Sequence, residues 1–246
     1  MKITYQEFLT TLTDSFEVRR LKDHAQVSNR SICLLRHDID SDMPRALRMA
    51  KIEAQLGIRS TYFVLHTAAY YSRRDFCEEC LKLQDMGHEV GLHNDILTEC
   101  MLNKVSPEET LYEELDYLHA CGLEIKGTSA HGNSLCRKFK YINYEIFKGC
   151  SPSYWPMRSI FGDIELHTLD LQKYGLYEAY FIPRDYYITD CQSSWRYIAG
   201  NSDEWHPDFR SESPVVNDIQ EFLQKIARKH IVLQALIHPS LNLIEV

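Results

Sequence analysis

The sequence predicts one α/β domain whose parallel sheet closes, or nearly closes, into a barrel. Three observations predict it. The chain has 246 residues, close to the roughly 250 typical of one α/β barrel. Short apolar runs alternate with helical stretches over residues 32–131 and again at the end of the chain. Four of those runs end on His or Asp. Alternation of this kind favours parallel strands joined by crossover helices.

Taken in order, residues 3–21 have helical spacing, and residues 32–36 form an apolar run that reads as a buried strand ending at His37-Asp38-Ile39-Asp40. Ser41 or Asp42 then caps a helix that carries Pro44 in its first turn and stops at Gly57. Residues 60–65 read as a strand, 73–86 as a helix closed by Gly87, and 89–92 as a strand ending at His93. Ser106-Pro107-Glu108-Glu109 has the pattern of a capping box, starting a helix that runs to Cys121 and Gly122. A strand over 125–130 ends at His131. Beyond Asn133 the periodicity weakens, leaving aromatic segments at Tyr154-Trp155, 179–182 and 186–189 as candidate strands. A helix over 216–228 and a strand over 231–237, ending at His238-Pro239, restore the pattern.

Composition removes several function classes. With 27 Lys+Arg against 35 Asp+Glu the net charge is -8, which repels phosphate backbones unless a basic face overrides it. The basic runs Arg19-Arg20 and Arg137-Lys138 are brief and read as solvated surface, so nucleic acid is not an expected partner. No apolar stretch reaches signal-peptide or membrane-spanning length, which leads to the expectation of a cytoplasmic chain without a membrane partner. Eight dispersed cysteines are too dilute for a disulfide scaffold and are expected to be reduced thiols, with Cys77 and Cys80 as core and surface thiols inside a helix.

The four strand ends carry the chemistry, because in parallel α/β barrels the loops after the strands converge over one mouth. Asp38 and Asp40, two apart on an extended chain, share a face with Cβ atoms roughly 6–7 Å apart. Paired carboxylates stay ionised cheaply only beside a cation, which argues for a metal. An isolated Asp-x-Asp also serves simply as a helix cap. His93 follows Glu89 and Gly91 on one strand face, and imidazole beside carboxylate suits Zn²⁺, with Co²⁺, Ni²⁺ or Fe²⁺ as alternatives.

These residues resemble the polysaccharide deacetylase superfamily, the NodB-homology or carbohydrate esterase family four group. Arg36-His37-Asp38-Ile39-Asp40 resembles its first motif, which implies Asp38 as catalytic base and Asp40 as metal ligand. His88-Glu89-Val90-Gly91-Leu92-His93 matches the approach to the second motif and implies His93 as a ligand. Ala235-Leu236-Ile237-His238-Pro239 resembles the closing motif, whose histidine is the general acid. The resemblance implies a distorted (β/α) barrel with about seven parallel strands. It departs from the family pattern at Leu97, where a second ligating histidine is usual, and in lacking an Arg-Pro-Pro-Tyr segment; Ser129-Ala130-His131-Gly132-Asn133 stands in that place.

Either His131 replaces the lost ligand or the site has become non-catalytic; Asp95 is the alternative ligand. Zinc sites normally use three protein ligands and an open position, so Asp40, His93 and His131 are the expected set. Asn133, Asp190 and Trp195 are expected at the substrate, Asp190 also as a partner that orients His238. His66, at a strand end, reads as an ordinary histidine or a residue of the mouth. The expected activity is metal-dependent removal of an N-acyl group, most simply acetyl, from an amino sugar or a small saccharide-containing substrate. Hydrolysis of a small non-sugar amide or cyclic ureide, and sugar binding without turnover, are the alternatives.

Overall fold

In a computed structural model of the protein, residues 3–150, 166–191, 194–200, 213–228, 230–241 and 244–246 are described. The strands are β1 (Glu17–Arg19), β2 (Ile32–Ile39), β3 (Thr61–Leu65), β4 (Glu89–Asn94), β5 (Gly127–Ala130), β6 (Tyr177–Glu178), β7 (Tyr186–Thr189), β8 (Arg196–Ala199) and β9 (Val232–Ile237). They form one curled sheet in the order β6-β5-β4-β3-β2-β9-β7-β8, with β1 also paired to β2. Every pairing is parallel except β7 with β8. The seven parallel strands of that path agree with the expected number. Among the described residues the edges β6 and β8 do not pair, so the sheet is an open half-barrel and not a closed one.

Seven helices are described: α1 (Tyr5–Ser15), α2 (Met43–Gln55), α3 (Phe76–Asp85), α4 (Ile96–Asn103), α5 (Pro107–Ala120), α6 (Ser134–Phe139) and α7 (Ile219–Ala227). Local chemistry sets their starts. Asp42 accepts from Arg45 N at 3.0 Å at the head of α2, Ser106 caps α5, and Asp218 caps α7 through Glu221 N at 3.0 Å. α1 ends at Ser15, because Phe16 is extended and Glu17 N donates to Ser31 O at 2.8 Å, which starts a strand where continued helix was expected. Residues 179–181 form a 3₁₀ turn and not a strand. The candidate strand at Tyr154-Trp155 lies outside the described residues. No described helix is long and apolar enough to cross a membrane.

Two apolar layers cover the outside of the sheet. Tyr62, Val64, Val90 and Leu92 point outward beneath α2 to α5, whereas Cys33, Leu35, Leu233, Ala235 and Ile237 pack under α1 and α7. The inner face is apolar only at its base, where Leu21, Leu34, Phe63 and Ile182 meet. Glycine makes room there: a Cβ on Gly91 would stand 2.5 Å from the Phe63 ring, and one on Gly127 would strike the Tyr177 ring.

The expected reduced thiols are found at six cysteines, but Cys77 and Cys121 form a disulfide across 44 residues. The sequence could not show this, because the partners meet only when α3 packs against the end of α5, with Tyr117 stacked on Phe76 at 6.0 Å.

Beneath α2 lies a buried polar cluster that holds β2 in place. Glu53 is 0% exposed and accepts from Ser60 Oγ at 2.5 Å, from Tyr62 OH at 3.1 Å and from Tyr5 OH, with His37 Nε2 at 2.7 Å. Burial pushes its carboxyl up, but His37, His88 and Ser60 outweigh that and hold it at about 2, below its ordinary 4.5. A carboxyl depressed on folding stabilises fully above its unfolded pKa and progressively less as pH falls towards the folded value. Glu53→Ala strands several buried donors and should cost roughly 3–5 kcal/mol in denaturant unfolding. Glu53→Gln should flatten the stability loss between pH 4.5 and about 2. An unchanged acid profile in Glu53→Gln would remove this cluster from the account of β2.

Candidate metal centre

Strand alternation builds the site. On β2, residues 32, 34, 36 and 38 face inward, so Arg36 and Asp38 share one side with Asp40 just beyond the strand end, while His37 turns out to Glu53. Register does the rest: His37 pairs with Ile237, Leu65 with His93, and His93 with Ser129. The ends of β2, β4, β5 and β9 therefore bring Asp38, Asp40, His93, His131 and His238 to one mouth.

Asp40, His93 and His131 each offer a ligand atom, and these atoms lie within 4.8 Å of one another, so the three could hold a metal ion. His93 Nε2 is 3.3 Å from Asp40 Oδ1 and 3.7 Å from Asp38 Oδ2. Two ligands of a tetrahedral ion at the usual bond lengths stand about 3.3 Å apart. His93 Nδ1 donates to Ser129 O at 2.8 Å, which turns Nε2 to the carboxylates, the orientation ligating histidines adopt. The oxygens Asp38 Oδ1 and Asp40 Oδ1 are buried without a hydrogen-bond partner, as a cation-binding pair would be before its ion is added. The donor set fits a divalent ion of borderline softness.

Electrostatics charge the donors: burial opposes the imidazolium of His93, but Asp38 and Asp40 raise its pKa above the usual histidine range, and an ion bound there would displace that proton. Burial disfavours the Asp38 charge, yet Arg36, whose Nη2 donates to Asp38 Oδ2 at 3.2 Å, with His93 and His238, holds the carboxyl below its usual range. Asp40 is likewise lowered against burial by His93, His238 and His131. Arg36 is 0% exposed, and its guanidinium lies 4.4 Å from the Tyr180 ring centroid.

His131 Nδ1 is 3.4 Å from Asp95 Oδ2. Asp95 is anchored in turn, accepting from Asn133 Nδ2 at 2.7 Å and Asn143 Nδ2 at 2.9 Å. It therefore stands behind His131, where a carboxylate orients a ligand, and not in the ligand set. Leu97 sits on α4, fully buried in the core, because that unforeseen helix begins directly after β4 and turns residue 97 away from the mouth.

His238 is oriented twice by Asp190: Nδ1 lies 2.6 Å from Asp190 Oδ1, and its backbone N–H donates to Oδ2 at 2.9 Å. Burial works against the imidazolium, but Asp190, then Asp40 and Asp38, raise its pKa to about 9. With its side chain 12% exposed, His238 remains open to the mouth.

Two expected substrate residues are committed elsewhere. Trp195 is stacked on Phe8 at 5.3 Å among the residues under α1 and α7, so its ring belongs to the outer core and not to a sugar face. Asn133 is close to the site, but its amide caps α6 through Leu135 N and Cys136 N and donates to Asp95 and Thr98. Both of its functions are spent.

His66 with Glu99 and Glu114 forms a second group with metal-ligand spacing. His66 Nε2 accepts from Asp95 N at 2.9 Å, so Nδ1 carries the proton and points it between the two carboxylates at 3.4 Å each. That tautomer donates hydrogen bonds and offers no lone pair to an ion. Sequence reasoning assigned no role to Arg36 or Ser129. Arg36 was findable by strand alternation from Asp38, whereas nothing local marks Ser129 as the anchor of His93.

Comparison with known proteins adds no identification. No family model matches the chain, and no curated protein matches it.

Metal analysis tests the geometry. Protein equilibrated with one equivalent of Zn²⁺ should retain about one ion per chain in wild type and in Asp38→Asn after gel filtration. Asp40→Ala, His93→Ala and His131→Ala should each lose most of it, measured by inductively coupled plasma mass spectrometry. Stoichiometric zinc in His131→Ala, with His66→Ala deficient instead, would move the centre to the second cluster.

Proposed function

We propose that this protein is a metal-dependent hydrolase that removes an N-acyl group, most simply acetyl, from an amino sugar or a small saccharide-containing molecule, as a divergent relative of the polysaccharide deacetylases. One observation carries the reading: a three-donor cluster of Asp40, His93 and His131 shares its mouth with an ionised carboxylate, Asp38, and a carboxylate-oriented histidine, His238. Base, acid and a possible ion site are separate groups, as amide hydrolysis requires. Three sequence motifs resemble that family in their order, and the half-barrel is compatible with a distorted barrel.

Asp40, His93 and His131 would hold the ion, zinc being the best match to their donors. When bound there, a divalent ion lowers the pKa of water and polarises a carbonyl oxygen. Asp38 takes the proton of the attacking water; Arg36 keeps that carboxylate ionised and fixes Oδ2, with Ser129 Oγ 3.4 Å away. His238 is protonated at neutral pH and gives its proton to the departing nitrogen, which leaves as a neutral amine. Asp190 holds Nδ1, so Nε2 is the nitrogen that faces the substrate.

Acetate release from N-acetylated amino sugars, assayed with zinc-loaded protein, tests the reading. Asp38→Asn and His238→Ala should each lower kcat by roughly 10² to 10⁴. His238 acts as an acid whose pKa Asp190 holds above the usual histidine range, so activity should fall on an alkaline limb that Asp190→Asn moves downward. Release at wild-type rate from either first variant, or an alkaline limb that ignores Asp190→Asn, would overturn the assignment. Zinc-loaded protein that liberates no acyl group from sugar substrates would remove the function itself.

A further inference from the structure

A small pocket adjoins His131, lined also by Cys136, Arg137, Tyr141, Ile142, Tyr144 and Tyr180. Its walls are apolar and aromatic: Tyr141 is 0% exposed, and Tyr144 and Tyr180 are also buried. Apart from His131, Arg137 is the one charged residue that lines it. Arg137 is exposed and, among the described residues, has no ion-pair partner. Lys138 and Lys140 follow on the same exposed segment and add to a local positive potential.

This arrangement is unusual for the molecule. The chain carries a net charge of -8, and the mouth itself is ringed by Asp38, Asp40, Asp95 and Asp190. Arg137 sets exposed positive charge beside the pocket in a chain that is negative overall. Apolar neighbours lower the local dielectric and strengthen a guanidinium's hold on an anion, and phosphate and carboxylate match its planar fork.

We propose that the pocket beside His131 is an anion subsite and that Arg137 selects acidic substrates, namely N-acylated sugars bearing a phosphate or carboxylate group. The inference rests on the hydrolase reading for the word substrate, but binding is measurable without turnover. The anionic group enters the pocket at Arg137, six residues beyond His131, while the amide lies at the donor cluster. A neutral N-acetylated sugar has nothing to offer the guanidinium and binds more weakly.

Titration calorimetry with N-acetylglucosamine 6-phosphate, N-acetylmuramic acid, N-acetylglucosamine and inorganic phosphate tests it, on zinc-loaded protein and on protein treated with a chelator. Both acidic sugars should bind at least about tenfold more tightly than the neutral one, a charge-assisted bond's worth of affinity. Arg137→Ala should abolish that preference in both metal states, leave the neutral sugar unaffected, and raise KM for acidic substrates more than it lowers kcat. Lys51→Ala, an exposed cation on α2, should change nothing. Preference for one acidic sugar alone would assign the subsite to phosphate or to carboxylate. An acidic preference that survives Arg137→Ala, or that vanishes on chelation, would overturn the proposal by placing the anion on the metal. Equal affinity for neutral and acidic sugars would overturn it as well. Retained Arg137-dependent binding without acyl release would refute the hydrolase reading and leave the subsite standing.

Discussion

Asp38 is 1% exposed and stays ionised because Arg36, two residues earlier on the same strand face, is buried beside it. An isolated carboxylate at that depth would take up a proton instead of bearing the desolvation. The pair is therefore central to the charge of the mouth: Arg36, helped by His93 and His238, offsets the burial that works against the Asp38 carboxylate. Arg36 is itself held in the interior by Asp38 and by the rings of Phe63, Tyr180 and Tyr187. Gly91 is part of the same constraint, since any side chain there would displace the Phe63 ring.

Alternation on β2 divides two jobs between neighbouring residues. His37 points outward into the Glu53 cluster, which is satisfied on several sides by Tyr5, Ser60 and Tyr62. Asp38 and Asp40 point inward to the mouth. A one-residue slip of β2 would exchange the faces, putting His37 in the mouth and both aspartates against α2. The buried Glu53 cluster thus sets the register on which the inward carboxylates depend, at a distance from the site itself.

The donor cluster is assembled across the sheet from neighbouring strands. Position 97 is lost to the core because α4 starts immediately after β4. β5 lies beside β4, and His131 N donates to Asn94 O at 2.8 Å, which brings its imidazole to 5.0 Å from the His93 ring. Asp95, held by two asparagines and by the His66 contact on its backbone, then fixes the direction of that ring. The arrangement depends on a network of buried polar groups.

What the sequence by itself determined is whatever depends on local chain geometry. Period-two and helical patterns, with caps at Asp42 and Ser106, placed most strands and helices, and the strand-end positions of Asp38, Asp40, His93, His131 and His238 followed from them. What only the tertiary structure decided depends on which elements become neighbours. Cys77 and Cys121 lie on separate helices, so their bond required α3 to meet α5. Trp195 and Asp190 are close in sequence, yet β7 carries Asp190 to His238 while the loop beyond it buries Trp195 against Phe8 under α1. Closure was likewise a matter of non-local pairing: the strand pattern is the same for an open or closed sheet, and the antiparallel β8 on one edge leaves it open among the described residues. Local patterns set backbone conformation over a few residues, whereas register, sheet order and burial are settled by contacts between segments far apart in the chain.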